Sequence, residues 1–437
     1  MRLEYDVLVI GSGTTGCYFA RRMAEKGYKV CVAEAAKAET LGERLAVFHI
    51  DKEMFKKMDV PRPEPGDADY VSEFAAGTYY SPYGQYTRRN DPDETIIYAH
   101  YPFLVCKLPP FVQRLRAWCR EAGVVFLDEA KCKGLLYCKH GVRGAALEHE
   151  GKTNHVFARL VADCSGIASV ARRCLRKPTK VEGFKIGPRD MMYVLLEYVK
   201  LAHPEKDAPQ RAEHWAYYKG WIAQTPNPDE AIIGVGANLS YEHAQTCMDR
   251  CKAAVQMPEG EVVRRERGVI PYRHPPYSLV DNGFVCLGDA ACMNKWVGEG
   301  ICSSWVGAKA AAEVAGRALQ SGAYPTERAL WPFNVIYNTT QQADFAYINA
   351  TAINAIDCTA DEMDYEFRKG IVFHNKAMTR LNREYSAELP IDEVIVLVGK
   401  VIGGLATRNI SVSTLQGLLK GIGCSTLLKA HYQNYPK

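Results

Sequence analysis

The sequence lacks the cysteine spacings that build metal centres or disulfide frameworks. Its 15 cysteines are scattered, several of them inside apolar segments such as 30–32 and 285–287, and no CxxC pair occurs. The nearest approach to a ligand spacing is Cys247 with Cys251, one helical turn apart, which is more often structural. We therefore expect no metal or iron–sulfur site, and reduced thiols in a cytoplasmic protein rather than disulfides.

Long apolar runs and a bias toward one sign of charge are also missing. The longest apolar run, 394–405, is shorter than the roughly 18 residues of a membrane span and is interrupted by Lys400. No signal-peptide pattern precedes the first strand, so we expect no signal peptide. The 54 basic and 50 acidic residues are spread along the chain and give a formal net charge of +4. This balance argues against nucleic-acid binding and leaves a weak peripheral contact with an anionic membrane open.

What the sequence does contain is a dinucleotide-binding βαβ pattern close to its N-terminus. An apolar run at 6–10 leads into Gly11, Gly13 and Gly16, which open a helix in GxGxxG spacing, and 28–33 supplies a second strand. These glycines permit a tight turn, close approach of the backbone to a pyrophosphate, and close packing of helix on strand. The amide groups at the start of the helix would bind the phosphates.

Three further residues belong to this predicted site. Thr14 and Thr15 lie between the second and third glycines, where the helix begins. Glu34 ends the second strand, at the position where a carboxylate accepts hydrogen bonds from a ribose diol and repels a 2′-phosphate. The segment as a whole predicts that the chain binds an adenine dinucleotide.

A second glycine-rich segment, far along the chain, predicts the other half of the cofactor site. A buried strand ends in Gly288 and Asp289, whose carboxylate could accept hydrogen bonds from the ribityl chain of a flavin. Gly298 and Gly300 allow close backbone approach, and a helix starting near Ile301 would direct its N-terminal amides at the pyrimidine ring. Nicotinamide does not need this element, so the predicted cofactor is FAD.

These paired segments resemble the flavoproteins with the para-hydroxybenzoate hydroxylase fold, and among them the geranylgeranyl reductase family, which reduces carbon–carbon double bonds of polyprenyl chains. Segments 41–45 (LGERL), 163–173 (DCSGIASVARR) and 268–272 (GVIPY) are similar to motifs of that family. The resemblance implies an α/β fold, with a Rossmann-like FAD-binding domain, an inserted antiparallel-sheet substrate domain and a helical C-terminal region. It also implies an FAD-dependent oxidoreductase.

We predict a division of the chain that interleaves these domains. The FAD-binding domain is expected in three parts at 1–75, 101–185 and 266–324, the substrate domain at 76–100 and 186–265, and the helical C-terminal domain at 325–437. Hydrophobic patterns predict strands at 95–101, 124–127, 133–138, 145–150, 155–162, 191–201, 214–224, 231–237 and 284–287, and helices at 108–123, 240–254 and 301–319.

The substrate-face motif of the family, YxWxFP, corresponds here to the segment from Trp221 to Pro226. Ala223 and Thr225 replace bulky aromatic residues of that motif, which should open space above the flavin or admit a molecule of another shape. Trp296 is predicted to line the same pocket. We therefore expect a hydrophobic or aromatic small molecule as substrate, although Trp221 and its neighbours could also be ordinary sheet packing.

Other candidate residues are less specific. Arg44 and Lys107 resemble positions where this fold places a cation near the diphosphate, and either could equally be a solvated charge. His49, His100 and His274 are weak candidates for proton transfer at the edge of the flavin, since a surface or packed histidine is the commoner state.

Two alternatives to a reductase stay open. A flavin-dependent monooxygenase or halogenase is one, because DCSG and the spacing from Trp221 to Pro226 also resemble the halogenases, although Ala223 replaces the second tryptophan of their WxWxIP motif. The other is an electron-transfer flavoprotein that acts on a quinone or a partner protein. No second GxGxxG in strand-to-helix context occurs, so the expected electron donor is external: NAD(P)H, ferredoxin or another carrier.

Overall fold

The computed structural model of this protein describes residues 3–43, 45–74, 78–84, 87–89, 103–204, 212–215, 218–225, 227–255, 257–294, 300–320, 322–347, 358–371 and 391–437. Its strands are β1 (Leu3–Ile10), β2 (Val30–Ala33), β3 (Val47–Asp51), β4 (Tyr70–Phe74), β5 (Thr78–Tyr80), β6 (Thr87–Arg89), β7 (Phe103–Lys107), β8 (Val125–Leu127), β9 (Lys131–Cys138), β10 (Gly141–His149), β11 (Lys152–Asp163), β12 (Met191–Leu201), β13 (Ala212–Trp215), β14 (Lys219–Gln224), β15 (Glu230–Ala237), β16 (Gly260–Pro271), β17 (Val280–Asp281) and β18 (Phe284–Cys286). Its α-helices are α1 (Thr14–Glu25), α2 (Glu53–Met58), α3 (Leu108–Glu121), α4 (Tyr241–Ala254), α5 (Gly300–Gln320), α6 (Glu327–Tyr337), α7 (Ala360–Lys369), α8 (Ile391–Ala406) and α9 (Val412–Gln433).

The nucleotide-binding part is built on a sheet with the order β17-β18-β11-β1-β2-β8. Strands β18, β11, β1, β2 and β8 are parallel, and β9 and β10 form an antiparallel meander attached to β11. Val7, Leu8 and Val9 of β1 are completely buried, as expected for a parallel strand covered on both faces. The predicted Rossmann-like α/β fold is confirmed.

Helices α1 and α5 bring the two glycine-rich segments together. Tyr18 of α1 stacks on Trp305 of α5, with ring centroids 5.8 Å apart. The indole N–H of Trp305 also donates to the carbonyl oxygen of Thr14 at 3.1 Å. Because the rings of Tyr18 and Trp305 are both buried, these contacts fix the start of α1 relative to the first turns of α5.

The second sheet has the order β16-β12-β15-β14-β13-β5-β6 and separates two layers of side chains. Successive residues of a strand face opposite sides. Tyr193 and Leu195 of β12 accordingly pack beneath α4, in a cluster that includes Cys247 and Cys251. Val194 and Leu196 face the other side, with Trp221, Ile232 and Ile270, toward the nucleotide-binding part. Ser240 caps α4 by accepting from the backbone N–H of His243 at 3.2 Å.

The observed strands differ from the predicted ones in the second sheet. The single strand predicted at 214–224 is wrong, because the chain forms two antiparallel strands, β13 and β14, that pair as a hairpin. The strand predicted at 95–101 lies outside the described residues. A small sheet of β3, β7 and β4, which the sequence analysis did not predict, lies at the junction of the two larger sheets.

The described parts of the C-terminal region at 358–371 and 391–437 contain α7, α8 and α9, which side-chain hydrogen bonds and close packing link. Glu362 of α7 accepts from the backbone N–H of Ser411 and the hydroxyl of Thr414, both at 2.7 Å, which joins α7 to the start of α9. Gly404 of α8 lies so close to Tyr365 that a Cβ atom there would be 2.8 Å from the ring. Among the helices that the structure describes, none combines the length and the apolar character needed to cross a lipid bilayer.

Candidate active site

The GxGxxG turn has two glycines locked by backbone packing and one that faces open space. Gly11 has a φ of +101°, and a Cβ atom there would be 2.4 Å from the carbonyl oxygen of Cys164. A Cβ atom at Gly16 would be 2.0 Å from the carbonyl oxygen of Gly11, so any side chain there would separate helix from strand. At Gly13 nothing lies within 4 Å of the Cβ position. The turn thus leaves room at Gly13, where a pyrophosphate is expected.

Glu34 lies beside this turn and is held by several donors. The backbone N–H of Ser12 donates to Glu34 Oε2 at 2.8 Å, and that of Ala36 donates to Oε1 at 2.9 Å. The hydroxyl of Ser12 donates to the same Oε2 and accepts from the guanidinium of Arg116, which is paired with Asp128. The roles of Ser12 and Arg116 were not predicted from the sequence. Nothing local to α3 marks one of its several arginines as buried, and without that arginine the contact of Ser12 is not evident.

Asp289 follows β18 in a short 3-10 turn and borders the interior cavity. It lies deep in the protein, and this burial raises the pKa of its carboxyl to about 6. A Cβ atom at Gly300 would lie 3.5 Å from Asp289 Oδ1, and one at Gly288 would lie 2.8 Å from Thr15 Oγ1. The two glycine-rich segments are therefore in direct contact. A buried carboxylate here suits hydroxyl donors such as those of a ribityl chain.

A cavity of about 470 Å³ separates the nucleotide-binding sheet from the second sheet, which is within the range of small-molecule sites. The nucleotide-binding part contributes seven lining residues that were predicted from the sequence: Gly13, Thr14, Thr15, Gly288, Asp289, Gly300 and Ile301. The second sheet contributes mainly apolar side chains: Met192, Val194, Leu196, Trp221, Ala223, Ile232 and Ile270.

The residues of the substrate-face motif differ in where they point. Trp221 lines the cavity, and its indole lies flat on Gly234, where a Cβ atom would be 2.1 Å from the ring. Ala223 also lines the cavity. Thr225 is buried and does not line it; its hydroxyl donates to the carbonyl oxygen of Asn227 at 3.0 Å and accepts from the N–H of Asn227 at 3.1 Å. Thr225 therefore stabilises the turn after β14.

The predicted cations and histidines are dispersed. His49 lines the cavity from β3, where its ring meets the edge of Phe103 at 5.4 Å between centroids. Lys107 precedes α3 as its N-cap and is not among the residues that line the cavity. His274 is exposed and also lies outside the cavity wall. Five predicted site residues lie outside the part of the chain that the structure describes: Arg44, His100, Pro226, Trp296 and Gly298.

Two charged lining residues were not predicted. Asp51 lies two residues after His49 on β3, and Lys219 lies two residues before Trp221 on β14. The signal that could have found them is the period of two, which puts alternate residues of a strand on one face. For Lys219 the pattern was hidden, because the sequence did not reveal where β14 begins.

Comparisons with known proteins agree with this geometry. Residues 4–227 match a protein-family model described as an FAD binding domain. A digeranylgeranylglycerophospholipid reductase of Sulfolobus acidocaldarius is 22% identical over 100% of this chain and 94% of its own length.

Solved structures show the same fold. A geranylgeranyl bacteriochlorophyll reductase-like protein from Thermoplasma acidophilum has a TM-score of 0.72 at 15% identity, covering 97% of this chain and 100% of the other. A probable FAD-dependent monooxygenase from Pseudomonas aeruginosa, PqsL, has a TM-score of 0.61 at 17% identity, covering 81% and 97%. The chain belongs to the FAD binding domain family and is an FAD-dependent oxidoreductase.

Proposed function

We propose that this enzyme reduces a carbon–carbon double bond of a hydrophobic or aromatic small molecule bound in the cavity. One observation carries the proposal: the same cavity is bordered by Thr15 and Asp289 on the cofactor side and by the apolar face of the second sheet on the other. When bound, FAD supplies or accepts the hydride. The reductase name of the Sulfolobus relative supports a double-bond reduction, and the substrate in that name is a lipid.

The residues of the nucleotide-binding part would each hold a different group of FAD, from the adenosine ribose to the flavin ring. We assign the pyrophosphate to the amides near Gly13, Thr14 and Thr15, with the adenosine ribose on Glu34. The ribityl chain is assigned to Asp289, and the pyrimidine ring to the start of α5 at Ile301. The open space at Gly13 and the raised pKa of Asp289 support this arrangement.

The second sheet would hold the substrate and exclude water from it. Val194, Leu196 and Ile232 provide an apolar surface that favours a hydrocarbon or aromatic portion of the ligand. Ala223 leaves space where a bulky residue would narrow the cavity. Trp221, resting on Gly234, gives this surface a rigid aromatic wall.

His49 is the best-placed candidate for proton transfer. It lines the cavity on the same strand face as Asp51. In the proposed reaction the imidazolium N–H gives its proton to the substrate carbon that does not receive the hydride. His274, exposed and outside the cavity wall, is a poorer candidate.

The fold neighbour PqsL supports one alternative, a monooxygenase. The test is anaerobic photoreduction of the purified protein, followed by either an alkene or air. Reoxidation by the alkene with recovery of the saturated product, and slow reoxidation in air, would support the reductase. Rapid oxygen consumption with a hydroxylated product would reject it in favour of the monooxygenase.

The proposal also covers the cell compartment and the electron donor. We place the reaction in the cytoplasm, which the scattered spacing of the 15 cysteines, without a CxxC pair, supports. The electron donor is proposed to be external, either NAD(P)H or a carrier such as ferredoxin, because the sequence holds a single GxGxxG in strand-to-helix context. Stopped-flow reduction of the bound flavin by each donor separates these choices.

A further inference from the structure

The C-terminal hairpin, formed by α8 and α9 (residues 391–433), exposes an unusual amount of aliphatic surface. On α8 one stripe at i, i+4, i+7 and i+11 consists of Ile391, Ile395, Val398 and Ile402, with 81%, 65%, 51% and 59% of each residue exposed. These positions lie on one face of a helix. Large aliphatic residues also lie exposed on α9: Val412, Leu419, Ile422, Leu427 and Leu428. An exposed aliphatic stripe along one helix, as on α8, is typical of an interaction site.

Helix α9 is attached to the rest of the protein at both of its ends. Glu362 accepts two hydrogen bonds from the residues that begin α9. At the far end, Lys429 pairs with Asp344 at 2.8 Å, and the hydroxyl of Tyr435 donates to the carbonyl oxygen of Tyr277 at 2.6 Å. Both ends of α9 are thus anchored, and the end of α8 is held where Gly404 packs against Tyr365 of α7.

After its first three residues, the hairpin carries basic side chains and no acidic ones. Asp392 and Glu393 are the last acidic residues of the chain, and residues 394–437 contain none. The same segment carries five cations: Lys400, Arg408, Lys420, Lys429 and Lys437. Arg408 and Lys420 are exposed. From Val394 onward, exposed aliphatic side chains on a segment that carries cations and no acids match the chemistry of an anionic lipid surface, and only Ile391 of the stripe lies beside an exposed acid, Asp392.

We propose that the C-terminal hairpin docks the enzyme on an anionic lipid bilayer, with α8 lying along the interface. α8 has 16 residues, fewer than the roughly 20 that a spanning helix needs, so its aliphatic stripe suits shallow insertion. A second copy of the chain is a poorer occupant. A symmetric self-interface would bring the exposed cations of one hairpin toward those of the other. The proposal does not depend on the substrate assigned above.

The experiment is vesicle flotation of the full-length, FAD-loaded protein. Vesicles of phosphatidylglycerol are compared with vesicles of phosphatidylcholine, and light scattering of the free protein gives its oligomeric state. The test variant is the triple substitution Ile395→Gln, Val398→Gln and Ile402→Gln, and the control is Val263→Gln on β16, which removes an aliphatic residue of similar exposure elsewhere. Flavin content checks that each variant is folded.

We expect the wild type and the Val263→Gln control to bind phosphatidylglycerol vesicles. The triple variant should bind more than about tenfold less, since three aliphatic side chains no longer insert. Arg408→Gln with Lys420→Gln should weaken binding to the anionic vesicles by about fivefold per charge and leave binding to phosphatidylcholine unchanged.

Three results would overturn the proposal. One is failure of the wild type to bind phosphatidylglycerol vesicles, and another is equal binding by the triple variant. The third is a wild-type dimer that the triple substitution converts to a monomer without any vesicle binding, which would assign the face to self-association. None of these results bears on double-bond reduction, which is measured without vesicles.

Discussion

The guanidinium of Arg116 donates to the hydroxyl of Ser12 at 2.8 Å, and that hydroxyl donates to Glu34 Oε2 at 3.1 Å. Asp128 binds the same guanidinium through both carboxylate oxygens. Arg116 and Ser12 are completely buried. The carboxylate proposed to bind the adenosine ribose is therefore oriented by a polar chain that begins in α3, which reduces the ordering cost of cofactor binding.

Ser12→Ala should weaken FAD binding while the fold is retained. The hydroxyl is the only link between Arg116 and Glu34 that the described contacts provide, whereas the N–H of residue 12 still donates to Glu34. Loss of one hydrogen bond, worth about 0.5–1.5 kcal/mol, should raise the Kd for FAD about two- to tenfold. The Kd is measured by quenching of flavin fluorescence, with circular dichroism as a check of folding.

Arg116→Met and Arg120→Met form a matched pair for the same test. Both guanidinium groups lie over the ring of Phe126, at 4.2 and 5.1 Å, but only Arg116 contacts Ser12. A positioning role for Arg116 predicts weaker FAD binding in Arg116→Met alone. Equal loss in both variants would mean that α3 packing, not orientation of Glu34, controls the affinity. If Arg116→Met does not fold, Ser12→Ala decides the question.

Asp289→Ala should lose tightly bound FAD and keep its fold. The proposed role of Asp289 is to accept hydrogen bonds from the ribityl hydroxyls, and acceptors that are ionised contribute about 1.5–3 kcal/mol each. The flavin content of the purified variant, read from its absorbance, should fall severalfold or more. Wild-type flavin content in Asp289→Ala would remove this residue from the cofactor site.

The raised pKa of Asp289 gives this role a pH signature. Burial raises its pKa to about 6, and hydroxyl donors of FAD favour the ionised form. As the pH falls through about 6, the free protein becomes protonated at Asp289 and its Kd for FAD should rise, by up to about tenfold per pH unit. Asp289→Asn should bind weakly at all pH values, without this slope. A wild-type Kd that is constant between pH 5 and 7 would contradict the assignment.

The cofactor side of the site could be predicted because its signals are local. Backbone contacts at Gly11 and Gly16 leave no room for a side chain. Glycine is therefore required at both positions, and this requirement can be recognised from the sequence. The contact of Arg116 with Ser12 joins residues that are 104 positions apart. No local pattern encodes such a pairing, which depends on how α3 packs against α1.

The substrate side of the site was harder to predict from the sequence, because the point where a strand ends decides which residues face the cavity. Alternation from Trp221 and Ala223 would place Thr225 on the same face, but β14 ends at Gln224 and Thr225 turns to bind Asn227. β16 was predicted only near 268–272, since its first half is rich in charge. That half is nevertheless a strand, because pairing with β12 satisfies its backbone while its side chains stay mostly exposed.

Ala223→Trp should constrict the cavity. Ala223 lies on the cavity wall next to Trp221, and a bulky residue forced into a packed site costs about 1–3 kcal/mol. The KM for an alkene substrate should therefore rise by about five- to hundredfold, with FAD content unchanged. Reoxidation of the photoreduced enzyme by a panel of alkenes gives the rates, and Ala223→Ser is the control. Unchanged turnover across the panel would show that Ala223 does not line the substrate pocket.

Glu366→Gln should stabilise the protein above neutral pH. Glu366 of α7 is buried, and Oε1 of its carboxyl has no hydrogen-bond partner among the described contacts. Burial, together with the nearby charge of Glu362, raises its pKa to about 7. The folded state thus binds a proton between pH 4.5 and 7 that the unfolded state releases, so stability falls as the pH rises through this window. At pH 8 the variant should gain up to about 3 kcal/mol, measured as a higher Tm.

Glu362→Gln, on the same helix, should have the opposite sign. Burial alone would raise the pKa of Glu362, but hydrogen bonds from Ser411 and Thr414 lower it to about 2. Its ionised form therefore stabilises the fold above pH 4.5, and this contribution disappears as the pH falls toward 2. Glu362→Gln should lower the Tm at pH 8, where Glu366→Gln raises it, and the difference between the two variants should shrink near pH 4. Parallel shifts of both variants would show that α7 responds to neither charge.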